Sequence, residues 1–198
     1  KEIFYRQIED GLHTAAQMVV LRRWQVVLDI VGGSSRGKPI TPQTPFLCFS
    51  MTKSFTGMCI HKLLEEGKIE WDAPIADYWP ELGCNGKETA TIRNVFHHQA
   101  GIPKRYMYHQ IPYVPFWDRI TRSVANLPAE FEPGTKTAYH LVNYGTIFGE
   151  VIRRVTGMPF PEYLRETILE PLGLDRTWIG KRPKGMERPL TLFASDPN

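Results

Sequence analysis

Ser50-Met51-Thr52-Lys53 sets a hydroxyl nucleophile and an amine one helical turn apart. Serine at neutral pH is a poor nucleophile, and it attacks a carbonyl only when a partner takes its proton. Residues i and i+3 share a face of a helix, so Lys53 stands where such a partner is needed. The same pattern also arises by chance, and a second copy, Ser35-Arg36-Gly37-Lys38, lies among glycines with prolines following, where no helix holds the pair together. The Ser50 copy does open a helix. From Met51 the apolar residues Phe55, Met58, Cys59, Leu63 and Leu64 recur at spacings near three and four, and Gly67 follows where a C-terminal cap belongs. Ser50 then sits at the amino end, where unpaired N–H groups and the positive end of the helix dipole would stabilise a developing oxyanion. On the motif alone, an N-cap serine beside a solvated lysine accounts for the same residues.

The elements that must position this pair are legible in outline. Ile3 to about Leu12 has the pattern of an amphipathic helix, and Gln17–Leu21 and Gln25–Val31 read as a hairpin about Arg22-Arg23. Prolines and threonines from Pro39 to Pro45 make a loop that delivers the chain to the Ser50 helix. Trp71-Asp72-Ala73-Pro74 starts a short helical stretch ending before Pro80, and Thr91 to about His98 suits another. Pro103 to Pro115 is an aromatic loop suited to wall a pocket. Glu132-Pro133-Gly134-Thr135 is a turn, Val142–Val155 a helix stopped by Gly157, and Phe160–Leu169 the last clear helix.

Composition bounds the rest. A chain of 198 residues, 42% hydrophobic and 23% charged, is that of an ordinary globular domain, and one domain over 1–198 is expected. The formal charge of +3 is small and its basic residues are scattered apart from Lys181-Arg182-Pro183-Lys184, so no nucleic-acid partner is expected. Nothing has membrane-spanning length, and the start Lys1-Glu2-Ile3-Phe4-Tyr5 lacks the apolar stretch of a signal peptide, although a chain that does not begin with Met is compatible with a processed precursor. Cys48, Cys59 and Cys84 cannot all pair, and no disulfide framework is implied. Oligomeric state is not legible.

Two rival motifs fail on their own chemistry. Val26–Val31 followed by Gly32-Gly33-Ser34-Ser35-Arg36-Gly37-Lys38 matches the strand and G-x-x-x-x-G-K of a phosphate-binding loop. Pro39, however, stands where a Ser or Thr should bind magnesium, and Pro42 and Pro45 exclude the helix that should face the phosphates. Among the histidines, His97 and His98 are adjacent and point apart, while His61, His109 and His140 lack ligand-like partners at helical spacing, so neither a metal nor a cofactor is expected.

Taken together, Ser50-Met51-Thr52-Lys53-Ser54-Phe55-Thr56, Leu64-Glu65-Glu66-Gly67-Lys68-Ile69, Asp72-Ala73-Pro74-Ile75, the run from Thr91-Ile92-Arg93 to His98-Gln99-Ala100-Gly101-Ile102-Pro103, Pro133-Gly134-Thr135 before Tyr139, Gly149 to Gly157 and Glu170-Pro171-Leu172-Gly173-Leu174 resemble, in order, the serine beta-lactamase and penicillin-binding superfamily, specifically its esterase branch. The resemblance implies an α+β fold with a helical region against an antiparallel sheet, and a chain matching the N-terminal part of such a protein. It implies Ser50 as the acylated nucleophile, Lys53 as the amine that keeps its proton mobile, and Tyr139 as general base and acid. A phenol beside an ammonium is stabilised as phenolate, which agrees with that assignment.

Two departures shape the functional expectation. Where the family's Y-x-N element has asparagine this chain has Leu141, with Asn143 two residues on. No K-T-G or H-x-G strand follows Tyr139, since Lys136-Thr137-Ala138 precedes it and Lys184-Gly185 lacks a strand context. Losing the amide at 141 weakens a beta-lactamase reading, and Tyr106, Tyr108, Tyr113, Phe116 and Trp117 offer apolar walls for an acyl chain. The expectation is hydrolysis of a small ester through acyl-Ser50. The alternatives are a beta-lactamase or D-amino-acid peptidase or acyltransferase on the same residues, and a non-catalytic binding or scaffold relative.

Overall fold

A computed structural model describes residues 1–103 and 116–190. The chain forms two compact units, one of Lys1–Cys48 with the segment from Lys181 onward, the other of Phe49–Gly180.

The first unit begins with helix α1 (Glu2–Glu9), followed by the antiparallel strands β1 (Ala15–Arg22) and β2 (Gln25–Ser35) and a short β3 (Lys38–Pro39), in sheet order β1-β2-β3. Ala15 lies opposite Gly33 and Arg22 opposite Gln25, with a bulge between Val20 and Leu21. The hairpin turns at Arg23 and Trp24, one residue beyond the position expected. Both have positive φ, 49° and 66°, as a two-residue turn needs if its twist is to match the strands it joins. Phe4 of α1 and Ile30 of β2 are buried. β2 runs to Ser35, well past Val31, and absorbs the glycine-rich run into the sheet. The chain then reverses at Arg36 and Gly37, so Ser35 and Lys38 face each other across a hairpin, an arrangement that is neither a helix nor a phosphate loop.

The second unit is helical. Helix α2 (Thr52–Glu65) is entered through a 3-10 turn at Phe49–Met51, and Gly67 follows it with φ 65°. The stretch expected as one short helix after Trp71 is two 3-10 turns, Ile75–Asp77 and Pro80–Leu82, the second starting on the proline itself. Proline has no N–H to donate, which costs nothing in a first turn. Helix α3 (Ile92–Phe96) begins with a reciprocal capping box between Thr91 and Asn94. Helix α4 (Trp117–Ala125) was not anticipated, helix α5 (Asn143–Thr156) ends on left-handed Gly157, and helix α6 (Phe160–Leu164) continues into a π turn, Arg165–Leu169. Ile60 and Leu63 of α2, Val95 of α3, Val124 of α4, Ile147, Phe148, Val151 and Ile152 of α5 and Leu164 of α6 are fully buried in one core. α5 touches α2, α3, α4 and α6, so it is the element on which the unit is organised.

Two polar anchors sit within that core. Glu150 of α5 is fully buried and accepts from Trp117 Nε1 (2.7 Å), Arg153 Nε (2.8 Å) and Arg154 Nε (2.7 Å). Lys87 is 2% exposed, and its ammonium donates to the carbonyls of Cys84 (2.6 Å) and Leu127, tying the 84–87 loop to the segment after α4. Among the described residues no helix is long and apolar enough to cross a membrane.

Candidate active site

Ser50 is the middle residue of the turn that leads into α2. The turn is entered through Phe49 at φ 43°, a left-handed conformation that costs a non-glycine residue roughly 1–2 kcal/mol and persists only where its surroundings impose it. The helix N-cap is Met51 and has no side-chain cap bond, so Ser50 is not the N-cap serine that the motif alone allowed. Its hydroxyl is committed elsewhere. Ser50 Oγ accepts from Tyr139 Oη at 2.9 Å and from Lys53 Nζ at 3.3 Å. Lys53 also donates to the main-chain carbonyl of Leu141 at 3.0 Å, and its Nζ lies 4.7 Å from the centre of the Tyr139 ring.

These contacts fix the electrostatics. Hydrogen bonding to Lys53 and to Ser50, with the charge of Lys53 adding to it, holds the Tyr139 phenol below the ordinary tyrosine value, against a smaller opposing effect of burial. The Tyr139 side chain remains 48% exposed, so a substrate can reach the hydroxyl pair.

Tyr139 lies outside any helix or strand, and the loop that carries it is held by main-chain bonds and imidazoles. Ala138 N–H donates to the His98 carbonyl at 2.9 Å. His140 is fully buried; its Nδ1 bonds the Ala138 carbonyl at 2.6 Å and its Nε2 accepts from Ile102 N–H at 3.1 Å. Burial pushes His140 down to about 4, which keeps it neutral and able to accept. Ile102 belongs to the loop that includes Gly101, whose φ is 82° and where a Cβ would lie 2.6 Å from the Phe131 carbonyl, so only glycine fits.

The arrangement brings Ser50, Lys53, Tyr139 and the main chain of Leu141 together. Trp117 is held by α5. Its ring packs against Gly149, where a Cβ would come within 2.9 Å of it, and its indole N–H is bound by Glu150, so it anchors α4 to α5. Asn143 opens α5, so Tyr139 shares no helix with it, and its amide donates to the Ile102 carbonyl at 2.7 Å. Phe116 is exposed at the start of α4, while Tyr106, Tyr108 and Tyr113 lie outside the described residues. In the sequence, only closeness to the glycine loop and to Tyr139 distinguishes His98 and His140 from the other histidines. Among the described residues no cluster of three or more His, Cys, Asp or Glu side chains could hold a metal ion.

The sequence model of the Beta-lactamase family matches residues 4–198. The chain belongs to the beta-lactamase family. Over 143 residues, 69% of this chain and 32% of the relative, it is 36% identical to Esterase/beta-lactamase LipL of Mycobacterium tuberculosis. Among solved structures it resembles a family VIII carboxylesterase (TM-score 0.80, 32% identity, covering 91% of this chain and 51% of that one). It also resembles a penicillin-binding protein homologue from Caulobacter crescentus (TM-score 0.77, 32% identity, covering 94% and 54%). This beta-lactamase-family chain therefore spans about a third of the first relative and about half of each of the other two. Its fold is the α+β fold of the family, with the three-stranded antiparallel sheet and the helical unit described above.

Proposed function

We propose that the protein carrying this chain is a serine hydrolase that cleaves small esters through an acyl-Ser50 intermediate. The observation that carries the reading is the convergence of Tyr139 Oη and Lys53 Nζ on Ser50 Oγ, at 2.9 and 3.3 Å. As Oγ attacks the ester carbonyl, Tyr139 in its phenolate form takes the serine proton, and the positive Lys53 lowers the energy of that phenolate. Tyr139 then returns the proton to the departing alkoxide, leaving Ser50 acylated. Water attacks the acyl group with Tyr139 again as base, and Oγ leaves with its proton restored. The carbonyl of Leu141 keeps the lysine aimed between the two oxygens.

Ester cleavage is favoured over amide cleavage because an alkoxide needs less protonation on leaving than an amine, and because Leu141 supplies no side-chain amide for a beta-lactam. The name carboxylesterase borne by the structural relative at 32% identity supports it, while that of the relative at 36%, Esterase/beta-lactamase, carries both activities. A fluorophosphonate probe is expected to add one mass increment to the protein and none to Ser50→Ala; equal labelling would end the assignment. Short-chain aryl esters are expected to be turned over with higher kcat/KM than nitrocefin, and Leu141→Asn to narrow that gap. Better hydrolysis of nitrocefin by the parent protein would replace the esterase reading by a beta-lactamase one.

A further inference from the structure

His98 lies beside the proposed base without touching the nucleophile. It has φ 58° and packs against the loop that returns from Thr135 to Val142. Several contacts bind it to that loop. Its carbonyl accepts from Ala138 N–H at 2.9 Å, its Nδ1 accepts from His140 N–H at 3.2 Å, and its ring centre is 4.7 Å from that of Tyr139. The residues on either side of Tyr139 are thus both bonded to one histidine, which also supports the phenol ring.

The Nδ1 contact works in one protonation state only. A neutral imidazole with its proton on Nε2 presents a lone pair at Nδ1, whereas an imidazolium would set N–H against the N–H of His140. The titratable groups that face His98 are Lys53 and His61 of α2, which line the same open cavity, Tyr139 and His140 of the loop, and Tyr144 in the first turn of α5. No carboxylate lines that cavity among the described residues. Burial, and then the charge of Lys53, lower the His98 pKa below the ordinary histidine value.

We propose that neutral His98 is a positioning residue for catalysis, holding Tyr139 against Ser50 through the acceptor Nδ1 and its ring. The inference rests on the acyl-Ser50 reading for its effect on rate, and on geometry alone for its effect on Tyr139. It goes beyond the three reacting side chains, because His98 exchanges no proton with the substrate.

The test uses two substitutions that a left-handed backbone tolerates, so that strain does not decide the result. In His98→Asn the side-chain oxygen takes the place of Nδ1 and still accepts from His140, but it takes up no proton. In His98→Gly the acceptor and the ring are both lost. The chain has eight tyrosines, so ionisation of Tyr139 is read as the ultraviolet difference against Tyr139→Phe, without any substrate. The parent and His98→Asn are expected to ionise Tyr139 below the ordinary range, and His98→Gly within it. With an aryl ester, kcat of His98→Gly is expected to fall by about 100-fold, the lower end of what a well-placed general base contributes, with KM changed far less. His98→Asn is expected to recover most of that loss. In the parent, acidification through the His98 pKa should add the slope of a second proton to the acid limb of kcat, and in His98→Asn that added slope should vanish. Equal Tyr139 titrations in the Asn and Gly variants would overturn the proposal, as would an added slope that persists in His98→Asn. If circular dichroism finds His98→Gly unfolded, the pH profile of His98→Asn decides alone. Ester turnover that survives Ser50→Ala would instead count against the acyl-Ser50 reading and leave the Tyr139 titration to judge His98.

Discussion

At the scale of single residues, the proposed chemistry depends on the mutual charge of Lys53 and Tyr139, and that dependence has a sign. The Tyr139 pKa is lowered by the lysine, so the phenolate, the form that accepts a proton, is populated at lower pH than a free tyrosine allows. Removing the charge with Lys53→Met is expected to return Tyr139 toward the ordinary value near 10 and to move the acid limb of kcat/KM in the alkaline direction. A pH–rate profile with an aryl ester checks this, and an acid limb left in place would separate the lysine from the base. How far these residues were legible depended on whether side chain or main chain does the work. Ser50 and Lys53 announce themselves because their spacing and the periodicity after them agree, and Tyr139 followed from its place in the family pattern. The anchor of Lys53 could not be read, because it is the carbonyl of Leu141 and every residue has one. The anchor of Trp117 is hidden for a related reason: a tryptophan beside an aromatic run suggests a pocket wall, and nothing in the spacing shows that its indole is bonded to Glu150.

At the scale of elements, α5 carries the helical unit, and Glu150 is its most exposed point of failure. Burial alone would raise this carboxyl, but hydrogen bonds from Arg153, Arg154 and Trp117 outweigh it and hold the pKa below the usual carboxylate range. A carboxyl depressed in the folded state contributes stability above its unfolded pKa and loses that contribution as the pH falls through the folded value. Glu150→Leu is expected to cost roughly 2–4 kcal/mol near neutral pH, less than a fully buried broken pair because both arginines can turn toward water. Urea denaturation of the two proteins, repeated in acid, is expected to show the difference shrinking as the parent carboxylate becomes protonated. Elements with strong apolar periodicity, α2 and α5, were legible almost to their ends, Gly67 and Gly157 included. α4 was missed although Ile120, Thr121, Val124 and Ala125 are its buried stripe, because only two of these are strongly apolar and the aromatic run before it drew the reading toward loop. The end of the final helix was misread in kind: its apolar pattern continues through Leu169, while the backbone there widens into a π turn.

At the scale of the whole molecule, the two units differ in how they treat apolar surface. The helical unit buries most of its large side chains in one core, with Phe49, Met51 and Leu172 among those left exposed, whereas among the described residues β1 is a sheet edge on which Met18, Val19, Val20 and Leu21 are exposed, and Trp24 at the adjoining turn is 96% exposed. An apolar edge whose one charge, Arg22, stands at its end invites another strand to pair with it. The 198-residue chain on its own is expected to self-associate in light scattering at micromolar concentration, and Val20→Lys to reduce that association; a monodisperse monomer for the parent chain would refute this. The sequence pattern announced strands here but could not tell which of their faces would be covered, since alternation was weak and valines fill both sides. Because the lysine is steadied by the carbonyl of residue 141, any side chain at that position leaves the steadying bond in place. Under the proposed reading selectivity and reactivity are thereby uncoupled: a library at 141 is free to explore new acyl and leaving groups while the contacts proposed to activate Ser50 are inherited intact.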